Sequence, residues 1–219
     1  MSDVTITVRG EHEARIMPEL ATIRLSVRTE GSERASVVAR AMHLADPVRA
    51  SLTERADAGE LSDWSSRNLS VRAERPWNHE GKRLAPVYYA AIDFTATFAA
   101  AGELSVWVSD ISSWDGVEVG AVDWHLTPAT AARIEGEVAA HAVGVAVARA
   151  ETYARALGLG QVMPVEIADA GLISDASPST PPLLKARAVA FSADAAPAMQ
   201  YEPEEIVISA TVEGRFLAR

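Results

Sequence analysis

The chain has 219 residues, 48% of them hydrophobic, enough to bury a substantial core in one large or two small domains. Its 20 Lys and Arg stand against 30 Asp and Glu, giving a net charge of -10, and the basic residues are scattered singly, so the field opposes a phosphate backbone and no nucleic-acid partner is expected. With no cysteine at all, disulfides, thiolate catalysis and the usual structural zinc sites are excluded.

At the N-terminus, MSDVTITVRGEHEARIMPEL, charged residues interrupt every apolar group before a signal-peptide core could form. No window approaches ~20 uninterrupted apolar residues, so a cytoplasmic protein without membrane insertion is expected. Val4, Ile6 and Val8 alternate with polar residues, as do Ala21, Ile23, Leu25 and Val27, which predicts two half-buried strands with a break between Gly10 and Pro18. After Gly31, Ser32 is a plausible N-cap for a helix to about Ala56, apolar at Val37, Val38, Ala41, Leu44, Ala45, Val48 and Leu52, with a kink or break expected at Pro47. Leu69 and Val71, then Tyr88 through Phe98, predict a hairpin joined by the polar turn RPWNHEGKR. Residues 101–112 carry Leu104, Val108 and Ile111 at helical spacing, and Val117, Val119 and Ala121 begin another strand, finishing near Leu126.

Thr127-Pro128 is a strong helix start, because the hydroxyl caps while proline occupies the first turn, where its missing N–H does no harm. The helix predicted from there to about Leu157 places Ile134, Val138, Ala142, Val145, Ala148, Thr152 and Ala156 along one face. Gly158 and Gly160 invite comparison with a phosphate-cradling loop, but they close a helix instead of opening one. A helix C-terminus presents carbonyl oxygens and negative partial charge, so the glycines read as a helix stop. Residues 171–203, rich in Pro, Ala and Ser, form an excursion without sustained period before a closing strand from Ile206 to Val212 returns to the main sheet.

The opening VTITVRGEHEARIMPELATIRLSVRTEG resembles that of the SIMPL-domain family, in which a strand and glycine lead through a proline and an acidic residue, here Pro18-Glu19, into a second strand. SDWSSRNLSVRAERPWNHEGKR looks like the family's third strand and variable loop. ARAETYARALGLGQVMPVEIADAG matches its alanine-spaced helix with an ALGL-type end, and YEPEEIVISATVEGRFLA is similar to its closing strand. The resemblance covers nearly the whole chain and implies a single α+β domain over 1–219, with antiparallel sheets of about seven strands packed against two long helices and one short helix. Relatives suggest roles in oxidative-stress tolerance or as signalling scaffolds, and some assemble into rings; none brings catalytic residues to transfer.

Asp123 and His125 share one face of a strand and are the most tempting acid–base pair, although no nucleophile motif accompanies them. Glu11-His12-Glu13 offers ligand types, yet alternate residues of an extended chain point to opposite faces, so it reads as a solvated loop. With His12, His43, His79 and His125 far apart along the chain and His141 in a separate alanine-rich run, no tightly bound metal or cofactor is expected. Trp77, between Pro76 and Asn78 in a polar turn, either meets a partner or folds back on its own sheet. Two functions compete: a non-enzymatic interaction or assembly module, and a hydrolase or small-ligand enzyme whose site gathers around Asp123 and His125. A homo-oligomer is expected, most simply a two-fold dimer, its interface drawing on Trp77, the excursion, or the strands Tyr88–Ala99 and Ile206–Val212 if either lies at a sheet edge.

Overall fold

The computed structural model describes residues 3–173 and 201–219. In chain order the elements are β1 (Val4–Ile16), β2 (Leu20–Gly31), α1 (Arg34–Asp57), β3 (Leu61–Ser66), β4 (Ser70–Glu74), β5 (Val87–Phe98), α2 (Ala101–Ile111), β6 (Val117–His125), α3 (Pro128–Ala156), β7 (Val162–Asp169) and β8 (Ile206–Ala218). The class is α+β with antiparallel pairing throughout, in two sheets. The described residues fall into two compact units: a central one of 18–126 with 201–204, and a terminal one of 3–17, 127–173 and 205–219.

In the central unit the strand order is β3-β5-β2-β6, with β4 also on β5. The eighth strand arises because the stretch read as one third strand is two short ones, β3 and β4, laid end to end along the longer β5. Alternation puts Ala21, Ile23, Leu25 and Val27 of β2 beside Ile92, Phe94, Ala96 and Phe98 of β5 on one face. The apolar stripes of α1 (Ala45, Val48, Leu52) and α2 (Leu104, Trp107, Val108, Ile111) cover that face. Trp107 is fully buried, and its indole N–H donates to Ser51 Oγ at 3.0 Å, so its one polar atom is satisfied.

Two expectations for α1 are corrected. Ser32 is not the N-cap: β2 stays paired through Gly31, which delays the helix start to Arg34 behind Glu33, whose side chain makes no capping bond. Of the kink or break expected at Pro47, the break does not occur: one helix continues to Asp57. The lost backbone bond is outweighed by burial of Ala41, Ala45, Val48 and Leu52 on either side of it.

In the terminal unit β8 lies between β1 and β7, and α3 covers one face of this sheet. The closing strand therefore joins the N-terminal strand in a three-stranded sheet of its own, not a single main sheet. Strand β1 does not break at Gly10. It pairs with β8 without interruption from Val4↔Ala218 to Ile16↔Ile206, so Glu11-His12-Glu13 is strand, not loop. The glycine serves a contact instead: a Cβ at Gly10 would stand 2.0 Å from the Ala142 carbonyl oxygen of α3.

Thr127 caps α3 as expected, its hydroxyl accepting the Thr130 N–H at 3.3 Å. The buried row is Ile134, Val138, Ala142, Ala146, Ala150 and Ala154; Val145, Ala148, Thr152 and Ala156, expected inside, are exposed. Strict four-residue spacing winds about 40° per step around a helix, whereas mixed three- and four-residue spacing stays closer to one straight face. Ala142, Ala146, Ala150 and Ala154 of the wound row cluster with Ile6, Val8, Val212 and Phe216 of the sheet. The helix ends as its glycine predicts. Gly158 takes φ 74°, its N–H reaches Arg155 O at 3.1 Å, and the Leu159 N–H reaches Ala154 O at 2.9 Å. That is the Schellman arrangement, and the orphan carbonyls are spent on the chain's own amides.

Both strands considered as edges are interior: β5 lies between β2 and the β3/β4 pair, and β8 between β1 and β7. Among the described residues the edges are β1 and β7 in one sheet and β6 and β3/β4 in the other. Most of the expected excursion at 171–203 lies outside the described residues.

Candidate functional site

The face of the central sheet opposite its helices is polar. Alternation that buries Ala21, Ile23, Leu25 and Val27 turns Thr22, Arg24, Ser26 and Arg28 outward, and from β6 it turns out Glu118, Asp123 and His125. Backbone register sets Thr22 against Asp123 and Leu20 against His125, yet the side chains pair one rung diagonally. The Asp123 carboxylate accepts from Arg24 at 2.6 Å, and His125 Nε2 meets Thr22 Oγ1 at 2.8 Å. Asp123 and His125 thus share a face, as expected, but each turns to a β2 neighbour.

Thr22 Oγ1 also lies 2.9 Å from Thr97 Oγ1, and His125 Nδ1 lies 3.3 Å from the Leu126 carbonyl. With Nδ1–H donated to that carbonyl, Nε2 accepts from Thr22, which in turn accepts from Thr97: a hydrogen-bonded rung across β6, β2 and β5. Chemically it holds a hydroxyl against an imidazole, without the carboxylate that would orient the ring. Thr22 and Thr97 escaped the sequence reading because only the strand register brings them to His125. A groove of about 340 Å³ on the same face is lined by Arg24, Arg28, Arg67, Asp93, Thr95 and Glu118 among others, and neither Asp123 nor His125 reaches it. Glu118 is held by Arg28 at 2.8 Å, so its carboxylate and that of Asp123 are both committed to arginines.

Trp124, between the two polar residues, points to the other face and packs on the core, with the Tyr201 ring edge-on at 6.3 Å. Tyr201 is fixed by its backbone N–H to Ser105 Oγ at 3.2 Å, and burial pushes its phenol above the ordinary value.

Trp77 sits in the loop joining β4 to β5. Asn78 organises this loop: its Oδ1 accepts the N–H of Glu80 at 3.0 Å and of Lys82 at 2.8 Å, its own N–H reaches Lys82 O at 2.9 Å, and Gly81 closes the turn at φ 74°. Leu84 N–H donates to Pro76 O, and Trp77 makes an isolated bridge with Arg83. The indole is 62% exposed, with the Arg83 guanidinium 4.9 Å from its ring centre. Of its two expected placements, the structure shows a ring displayed from its own loop, not one folded back on the sheet.

Among the described residues no three histidine or acidic side chains gather as a metal cluster, and Glu11 and Glu13 do flank His12 from the opposite face of β1. No helix among them is long and apolar enough to cross a membrane. No curated protein matches the sequence. The family model for SIMPL, described as a protein of unknown function (DUF541), matches residues 6–216, a span that runs through both units. With almost the whole of its 219 residues inside that match, the chain belongs to the SIMPL family.

Proposed function

We propose that this chain is a non-enzymatic assembly module that associates with copies of itself, most simply as a two-fold dimer, with Trp77 as an anchor of the interface. One observation carries the reading: a large aromatic side chain stands exposed on a loop whose conformation is already fixed by its own hydrogen bonds. Aromatic anchors dominate interface energetics, and a pre-ordered loop binds without a large entropic cost. Leu84, 48% exposed in the same loop, adds apolar area to the patch.

Light scattering at micromolar concentration tests the reading. The expected result is a mass well above 23.3 kDa that falls to the monomer in Trp77→Ala while the circular dichroism spectrum is unchanged. A monomer mass that does not change on concentration rules the proposal out. The enzyme alternative keeps one supporting observation, the 2.8 Å contact of Thr22 with His125. It requires turnover of an activated ester that disappears in His125→Ala and Thr22→Val alike; turnover surviving both excludes this site.

A further inference from the structure

Within the terminal unit the fold joins two histidines that the sequence keeps apart. His12, on the α3-facing side of β1, and His141, on α3, have ring centroids 4.8 Å apart with planes inclined at 36°. Their spacing is set by backbone. Gly10 lies two residues before His12 on the same strand face, and Ala142 follows His141; strand and helix touch there so closely that a Cβ on Gly10 would stand 2.0 Å from Ala142 O and 2.6 Å from Ala146 N. The rings are therefore mounted on a rigid crossing, not on loops.

Their nitrogens are also uncommitted. His125 spends both ring nitrogens on Thr22 and Leu126, whereas neither His12 nor His141 makes a hydrogen bond or ion pair to any described residue. His141 is exposed and His12 half-buried, so one side of the pair opens to solvent. The surroundings are small or already paired. On α3, Glu137 one turn before His141 is held by Arg133 at 2.8 Å, and Val145 follows one turn later. On β1, Glu13 points to the far face and pairs with Arg15, and on β8 the residue opposite His12 is Ala210.

We propose that His12 and His141 form an exchangeable site for a divalent first-row transition cation of the zinc, nickel and copper class. Neutral imidazole nitrogen is the ligand these cations favour, while magnesium and calcium require oxygen. A cation at about 2.0–2.1 Å from each nitrogen needs the two nitrogens roughly 3 Å apart, within reach of rings at this separation by small side-chain rotations. Two protein ligands leave the remaining positions to water, and no described acidic or histidine side chain completes a set of three. The site is thus one for an exchanging ion, and occupancy would tie β1 to α3.

Calorimetric titration of the full chain with nickel and with zinc tests this. One saturable equivalent is expected, weakened at least about tenfold in His12→Gln and in His141→Gln. His79→Gln, in the exposed β4–β5 loop, should bind as the parent does, and magnesium should not bind. Each variant's circular dichroism melt without metal shows whether it is folded, and the parent's melting temperature should rise with nickel while the double variant's does not. No uptake by the parent at about 1 mM cation, binding that persists in the folded double variant, or equal binding of magnesium would each overturn the proposal.

Discussion

Replacing Gly10 by alanine adds one methyl group where the backbones of α3 and β1 lie close together. The backbone there lies outside the left-handed region, so alanine meets no conformational penalty, and the whole effect is contact. The new Cβ would stand 2.0 Å from Ala142 O, 2.6 Å from Ala146 N and 2.9 Å from Ala146 Cβ. Ordinary C···O approach is about 3.3 Å or more, so helix and strand must part by more than about 1 Å, and helix backbone cannot rotate away as a side-chain tip does. Ala142, Ala146 and Ala150, all fully buried, then draw back from Ile6, Val8 and Phe216. A gap of that size forfeits about half or more of each dispersion contact it opens. The expected cost is about 3 kcal/mol, the upper part of the range for overpacked sites. All five tryptophans lie within residues 64–124, in the central unit, so fluorescence follows that unit while far-ultraviolet circular dichroism includes the 29-residue α3. In urea the dichroism midpoint of Gly10→Ala should fall by the equivalent of about 3 kcal/mol. A shift under about 0.5 kcal/mol would show that the crossing is looser than these distances, and the rigidity argued for the His12–His141 pair would fall with it.

The opposite sign is expected at Gly136 and Gly144, where a Cβ meets nothing within 4 Å: alanine at each should stabilise α3 by about 0.5–1 kcal/mol, read as a higher melting temperature, and a loss at either refutes the open-surface reading. Asp123→Asn removes an ion pair whose partners are 65% and 53% exposed, so urea stability should change by less than about 1 kcal/mol; a larger loss would show that the Arg24 contact is more than a surface pair. Tyr201, with its phenol raised by burial above the ordinary 10.0, holds its proton more tightly when folded, so this contribution is present below pH 10.0 and lost as pH rises beyond it. Tyr201→Phe should flatten the alkaline fall in stability followed by tryptophan fluorescence, and an identical alkaline limb refutes the assignment.

The long elements were legible because each repeats one simple period. Alternation located the alternating cores of β2, β5 and β6, and Thr127-Pro128 with Gly158 bracketed α3. What misled was local chemistry overridden by partners distant in sequence. Gly10 looks like a breaker until β8 pairs straight past it and α3 lands on it. Pro47 invites a break in α1 until burial on both sides of it is counted. On α3 the apolar residues fit two rows that coincide through Ala142 and then diverge, and only packing against β1 and β8 selects the row through Ala146, Ala150 and Ala154.

Side-chain constellations were harder to read for a related reason. Spacing along one strand places Asp123 and His125 on a common face, but which neighbour each meets depends on the register with β2, and a diagonal of one rung sends the carboxylate to Arg24 and the imidazole to Thr22. An exposed carboxylate gains more from a guanidinium within hydrogen-bond reach than from an imidazole two residues along its own strand. The histidines show the converse. Distance in sequence was a reason to expect no metal, yet distance in sequence says nothing of two residues brought together by a strand crossing a helix. The contact that makes the crossing possible, a glycine facing alanines, is written in the least chemically expressive residues of the chain. The absence of a side chain at Gly10 is what lets two imidazoles stand within 5 Å on separate elements, since any larger residue there would lift β1, and His12 with it, away from α3.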